Sequence, residues 1–452
     1  MENKKKIDHS NKNFYIENFG CQMNIYDSEI VASILLKNGF FLSKNLEKTN
    51  IFLLNSCSIR EKAELTIKKR LKELNFLKKK NQTIFIMIGC FSKEFKKILL
   101  EEKKIDLFID PDSYKKIPNF INHFINKKKY FHITNISKET YEDIYPFHFN
   151  KKNNITAFLS ITRGCNNMCT FCIVPFTRKR EISSNPYSII DKCKYLYKNG
   201  YKEVTLLGQN VDSYKWEGFY EKKKIFIDFS NLLDILAKKI PFMRIRFSTS
   251  NPHDMSDKVL KIISKHSNIC KHIHLPVQSG SNKILKLMNR KYTRENYLSL
   301  IKKIKKIIPN CSISHDIITG FCNEKEKDHQ DTISLMNEVV YNYGYMFSYS
   351  PRPNTYAYRK LEDNVPSYIK KKRLKEIIDL QREHSFFRMK EYLYKIQEVL
   401  IEGESKKNNK YWYGRNTQNI VVVFPKKNSK IGDIVFVKIK EITSATLIGE
   451  IQ

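Results

Sequence analysis

The sequence predicts an α/β protein in three consecutive parts: an N-terminal parallel-sheet α/β domain, a partial (β/α)6 barrel, and a small C-terminal all-β barrel. Three observations carry this reading. Strand and helix patterns alternate from about residue 14 to 134. They alternate again from about 155 to 377. From about Glu398 to Gln452 the pattern changes to short alternating strands separated by polar turns. The domain limits that follow are 12–134, 151–383 and 386–452.

In the first part FYIENF reads as a strand, Tyr26 to Asn38 as a helix, NIFLLN as a strand, Glu61 to Lys80 as a basic helix, and TIFIMIG as a strand. Each strand ends in a cysteine: Cys21, Cys57 and Cys90. In an open parallel sheet the C-terminal strand ends line one edge, where ligands bind. Topology therefore brings the three thiols together. The competing reading is three small buried packing residues, a common fate of free cysteine. A polar stretch, Asn135 to Asn154, reads as a linker.

In the second part ITAFLSITRG, KEVTLLGQ, MRIRFS, KHIHLPV, CSISHDII and YMFSYS give about six strand–helix units. Such a barrel places its site at the C-terminal strand ends. A basic helix from about Pro366 to Gln397 closes it. His272 and His274 share one face of their strand and read as satisfied interior histidines. Arg246 and Asp316 are candidates to face a cofactor. The third part contains the strands EVLIEGES, NIVVVF, IVFVKIKEI and ATLIGEI. Between the first two, Tyr411, Trp412, Tyr413 and Arg415 read either as stacking faces for nucleic acid or as barrel core.

Lys and Arg number 81 against 47 Asp and Glu, a formal charge of +34. Such a field favours a polyanion, nucleic acid first. Abundant Lys, Asn, Ile, Phe and Tyr also match a coding bias, which would place part of that charge on solvated helix faces. The N-terminus has no apolar stretch behind its charges and does not read as a secretory signal. The longest apolar runs are too short to span a bilayer. A soluble, cytoplasmic protein is expected, without a disulfide scaffold.

The loop RGCNNMCTFC places Cys165, Cys169 and Cys172 at C-x3-C-x2-C, with no fourth cysteine within twenty residues. Three thiolates suit three irons of a four-iron cluster and leave one iron open to a small molecule. The alternative is zinc, which wants four ligands; the nearest histidine, His148, lies outside the motif. Cys193, Cys270, Cys311 and Cys322 have no partner pattern and read as packing residues.

The loop resembles the radical S-adenosylmethionine superfamily, and its continuation IVPFTRKRE resembles the methylthiotransferases within it. GCQMN, NSCSIREKA and the Gly89-Cys90 pair resemble the N-terminal motifs of the tRNA methylthiotransferases, LPVQSGSNKILKLMNR matches their barrel, and the tail resembles a TRAM domain. The resemblance covers essentially the whole chain. It implies two [4Fe-4S] clusters, with Cys165, Cys169 and Cys172 holding the one that binds S-adenosyl-L-methionine. Cys21, Cys57 and Cys90 would hold an auxiliary cluster that carries sulfur. Gln209, at the end of TLLGQN, would contact the methionine amino group. The implied reaction is methylthiolation of C2 of N6-isopentenyladenosine at position 37 of tRNA, within the anticodon stem-loop. C2 is an unactivated C–H carbon, so the expected route is a 5′-deoxyadenosyl radical, with no side-chain acid or base. Threonylcarbamoyladenosine tRNA, a ribosomal-protein aspartate, and an RNA-binding iron–sulfur protein that has lost catalysis are the alternatives. A flavodoxin or ferredoxin is the expected electron donor, and the expected state is a monomer. Lys179 and Lys291 stand where the family usually has glycine, and Cys322-Asn323 where it usually has Pro-Gly.

Overall fold

The computed structural model describes residues 12–57, 61–127, 131–133, 139–148, 155–220 and 223–452. Much of the expected linker lies outside them, as do Ser58 to Arg60 of the NSCSIREKA motif. The chain divides into two units: Met1–Asn150 with Ile173–Ile182, and Lys151–Cys172 with Ser183–Gln452.

The first unit is built on a six-stranded parallel sheet. Strand Asn13–Phe19 has Phe41–Leu42 on one side. On the other follow Ile51–Ser56, Ile84–Gly89, Leu107–Ile109 and Phe131–Ile133. The chain starts inside the sheet and winds outward both ways, so the strand order reverses between Asn13–Phe19 and Ile51–Ser56. A crevice opens at the carboxyl ends of strands at such a point. Ile51–Ser56 is buried at every position, as a parallel strand covered on both faces should be. The first helix runs Gln22–Lys37 and starts earlier than the sequence suggested. Cys21 is its N-cap, and twelve of its sixteen residues are buried, which blurs the helical period. The expected basic helix is two, Glu61–Glu73 and Asn75–Asn81. The break at Leu74 lets Ile67, Leu71, Leu74 and Leu77 all reach one core with Phe52 and Phe85.

The second unit has the six barrel strands. Thr156–Ser160, Glu203–Leu207 and Arg244–Phe247 form one parallel sheet, and His272–His274, Ser312–Thr319 and Tyr343–Ser348 another. A parallel bridge between Ile245 and Ile269 joins them. An antiparallel hairpin, Lys215–Tyr220 with Lys223–Asp228, is inserted after the second strand and was not foreseen. The tail closes into a five-stranded barrel of Ile396–Glu404, Tyr411–Asn416, Val421–Pro425, Thr446–Ile451 and Ile434–Ile442. Tyr411–Asn416 is thus a strand. Its alternation puts Trp412 in the core and turns Tyr411, Tyr413 and Arg415 outward. Among the described residues no helix is long and apolar enough to cross a membrane.

Two arginines of strand Arg244–Phe247 seat this C-terminal barrel. Arg244 donates to the Arg415 carbonyl at 2.9 Å and to the Glu398 carboxylate at 2.7 Å. Arg246 donates to the carbonyls of Asn416 at 2.7 Å and Thr417 at 3.2 Å, and its Nε faces Glu203 at 2.8 Å. Arg246 therefore does not face a cofactor; its guanidinium is spent on the C-terminal barrel. Removing one partner of a buried ion pair costs about 3–5 kcal/mol. Arg246→Leu should lower stability by that order, read as a shift in the urea midpoint. Deleting residues after 395 strands the same guanidinium from the other side. Truncation should therefore destabilise the unit.

Candidate functional site

The sheet of the first unit presents its cysteines on three adjacent strands. Phe19 pairs with Ser56, and Ser56 with Gly89, so Cys21, Cys57 and Cys90 follow the last paired residues at the carboxyl edge. Adjacent strands lie about 4.8 Å apart. Beneath them sits a buried amide network. Asn24 Nδ2 donates to Asn55 Oδ1 and to the Ser56 carbonyl, both at 2.7 Å, and Asn55 Nδ2 donates to the Asn24 carbonyl at 2.7 Å. Asn24 Oδ1 accepts from the Cys21 backbone N–H at 3.4 Å. Gly89 has φ +92°, and a Cβ there would lie 2.4 Å from Asn55 Oδ1. Only glycine lets the strand end approach this network.

The electrostatics favour thiolate at Cys21. The Cys57 thiol donates to it, the Arg178 charge lies nearby, and the N–H groups of Met23 and Asn24 point at it, lowering its pKa to about 6 against the cost of burial. Burial pushes the Cys90 thiol up, with Arg178 opposing. Arg178 arrives on the segment Ile173–Ile182, just after the second cysteine loop in sequence. Its side chain is 3% exposed, and Nη2 donates to Asp27 at 2.9 Å. Its Nη1 has no hydrogen-bond partner among the described residues. An orphaned buried guanidinium N–H near Cys21 and Cys90 suits an anionic group held there.

In the second unit Cys165, Cys169 and Cys172 are half-buried on the loop that follows the first barrel strand. The loop is tied down by Thr170, whose hydroxyl donates to the Leu287 carbonyl at 2.8 Å, and by Asn289, which donates to the Met168 carbonyl at 3.0 Å. Arg290 donates to Cys169 Sγ at 3.3 Å. Gln209 Oε1 accepts from the Gly164 N–H at 2.9 Å, so its amide oxygen braces the neck of the loop. A Cβ on Gly208 would lie 2.1 Å from Thr162 Oγ1, which explains the glycine before it. Among the described residues no three His, Cys, Asp or Glu side chains close around a single-ion position. Zinc needs its ligands about 2.0–2.3 Å from one centre. A four-iron cluster takes each thiolate on a different iron, so a triplet of thiols would fill three of its four positions.

His272 and His274 are satisfied interior residues, as expected. Both bond Ser314 Oγ, and His272 also bonds the Tyr343 hydroxyl. Asp316 faces His274 at 3.5 Å. Asp212, just past Gln209, is buried; it accepts from Ser250 Oγ and the Asn251 N–H, both at 3.2 Å. Burial raises its pKa to about 8. The folded state then holds a proton that the unfolded chain releases near pH 3.9. Stability from this group is full below about pH 4 and falls as pH rises toward 8. Asp212→Asn should flatten that part of the profile, measured as urea midpoints at pH 6 and pH 8.

The departures in sequence are absorbed locally. Lys179 has the left-handed φ of +60° that favours glycine, and its ammonium pairs with Asp112 at 2.7 Å. Asn323 has φ +61°, a conformation asparagine tolerates best after glycine. Cys322 is buried with Phe321, Met288 and Tyr349. Lys291 is exposed. The residues that sequence reasoning missed are Asn24, Asn55, Arg178 and Arg290. All four lie within the quoted motifs, which was the available signal.

Family models match along the chain: the uncharacterized protein family UPF0004 over 13–110, the radical SAM superfamily over 159–336 and the TRAM domain over 390–451. The chain is 59% identical over 451 residues to a protein of Karelsulcia muelleri named tRNA-2-methylthio-N(6)-dimethylallyladenosine synthase, covering 97% of this chain and 99% of that one. Proteins of the same name from Christiangramia forsetii and Flavobacterium psychrophilum are 53% and 52% identical. They cover 97% and 100% of this chain, and the matches span 94% and 95% of theirs. Among solved structures, the radical S-adenosylmethionine methyltransferase TsrM of Kitasatospora setae, with cobalamin and a [4Fe-4S] cluster bound, superposes with TM-score 0.56 at 10% identity over 77% of both chains. That likeness is one of fold.

Proposed function

The chain belongs to the family of tRNA-2-methylthio-N(6)-dimethylallyladenosine synthases, and we propose on that footing that it methylthiolates C2 of N6-(dimethylallyl)adenosine at position 37 of tRNA. It is a radical SAM enzyme whose cofactors are iron–sulfur and S-adenosyl-L-methionine. The observation that supports the full reading best is the pair of cysteine triplets, each at the carboxyl edge of a parallel sheet in its own unit.

In this reading Cys165, Cys169 and Cys172 hold the cluster that takes S-adenosyl-L-methionine, and Cys21, Cys57 and Cys90 hold the auxiliary one. When bound, these groups supply the radical that removes the C2 hydrogen and the sulfur that replaces it. The chain's own residues hold and orient. Gln209 braces the loop beside the methionine moiety, and the Asn24–Asn55 network fixes the heights of Cys21 and Cys57. Arg178 balances thiolate charge. Residues 12–134, 151–383 and 386–452 serve as sulfur, radical and RNA-binding parts. A flavodoxin- or ferredoxin-type protein supplies electrons to a monomer. An anticodon-loop base is already unpaired, so presenting it costs less than flipping one from a duplex.

The test is incubation of anaerobically reconstituted protein with S-adenosyl-L-methionine, dithionite and tRNA, read by nucleoside mass spectrometry. A methylthio group should appear on dimethylallyl-bearing tRNA only. Burying five prenyl carbons at about 0.8 kcal/mol each sets a ceiling near 4 kcal/mol, roughly a thousandfold discrimination. Equal turnover of unprenylated tRNA, or preference for threonylcarbamoyladenosine, would move the chain to another branch. Absence of S-adenosyl-L-methionine cleavage would make it an RNA-binding iron–sulfur protein.

A further inference from the structure

We propose that Arg290 is a positioning residue that sets the reduction potential of the cluster held by Cys165, Cys169 and Cys172, a role that rests on those cysteines being cluster ligands. The guanidinium is fixed on three sides. Nη1 donates to Cys169 Sγ at 3.3 Å, Nη2 to the Pro276 carbonyl at 3.1 Å, and Nε to the Tyr292 hydroxyl at 2.8 Å. Its carbon lies 5.0 Å from the centre of the Tyr292 ring. Tyr292 is itself held, because its hydroxyl donates to the Val277 carbonyl at 2.9 Å. The fork therefore cannot swing away from the sulfur without breaking contacts to the end of the fourth barrel strand.

The charge balance points the same way. Among the described residues the ion pairs of Arg244, Arg246, Arg294 and Arg373 all involve a carboxylate, and Arg290 has no such pair. Its neighbour on that side is the Cys169 sulfur, a thiolate when it ligates iron. A hydrogen bond from a cation to a ligating sulfur draws electron density off the thiolate and favours the more negative, reduced cluster. The step it eases is transfer of one electron from a low-potential one-electron donor, with no bond made or broken in the protein. A planar fork suits this better than a lysine, whose single ammonium has neither the second anchor nor the ring contact.

The experiment is a redox titration of reconstituted full-length protein, followed by electron paramagnetic resonance with and without S-adenosyl-L-methionine, and repeated with Cys21, Cys57 and Cys90 replaced by Ala so that the signal of the cluster held by Cys165, Cys169 and Cys172 is read alone. At a fixed solution potential Arg290→Gln should lower the reduced-to-oxidised ratio of that cluster about tenfold, which for one electron is about 59 mV. Arg290→Lys should lower it less, and the auxiliary cluster should not move in either. Full iron content with an unmoved potential in both variants would overturn the proposal. So would loss of the S-adenosyl-L-methionine-sensitive signal in both, which would make Arg290 a strut of the loop. A wild-type protein that takes up no iron would strike at the cluster assignment instead, and so is distinguishable.

Discussion

Alanine at Cys165, Cys169 and Cys172 should abolish S-adenosyl-L-methionine cleavage and leave about four of about eight irons. Alanine at Cys21, Cys57 and Cys90 should also leave about half the iron. There cleavage should persist while methylthiolation of tRNA disappears. The reason is that each triplet lies within its own unit and is held by its own neighbours: an amide network under one, a loop pinned by Thr170, Asn289 and Arg290 in the other. Iron assay, spectroscopy and separate assays of cleavage and product read the three quantities independently. Loss of all iron in either variant would mean one shared site.

Arg178→Met should cost about 3–5 kcal/mol in the apo-protein, because it removes one partner of the buried ion pair with Asp27. Asp27→Leu should cost a similar amount by stranding Arg178. The double variant should recover much of both losses, since an apolar pair of similar volume removes the desolvation penalty. The coupling energy from the four denaturation midpoints is the measured quantity. The double variant should still fail to hold the auxiliary cluster at the wild-type potential, because Cys21 and Cys90 lose their nearby cation. Additive losses in the cycle would mean that the two side chains are stabilised by different partners.

The sequence made some of this legible and hid the rest for identifiable reasons. Cysteines at three strand ends could be placed on one edge because parallel topology fixes where strand ends go. The C-x3-C-x2-C loop needed only local spacing. Arg178 and Arg290 reach their partners across 151 and 121 residues, and no periodicity reports such a contact. The strand Tyr411–Asn416 was missed because aromatic residues occupy both of its faces, which removes the polar–apolar alternation. The inserted hairpin was missed because Phe219 and Phe226 are exposed, so its outer face reads as apolar too. Arg246 was misread because its place on a barrel strand does not reveal which end of the barrel its side chain serves.

The seat of the C-terminal barrel has a consequence for how freely this chain can change. Four of the five acceptors that Arg244 and Arg246 use there are main-chain carbonyls, of Glu398, Arg415, Asn416 and Thr417. A carbonyl is the same whatever side chain its residue carries. A composition drifting toward lysine and asparagine can therefore rewrite the surface of this module without unseating it. What it must preserve is backbone shape, including the left-handed turn at Asn419, where φ is +66° and where asparagine is itself a tolerated choice.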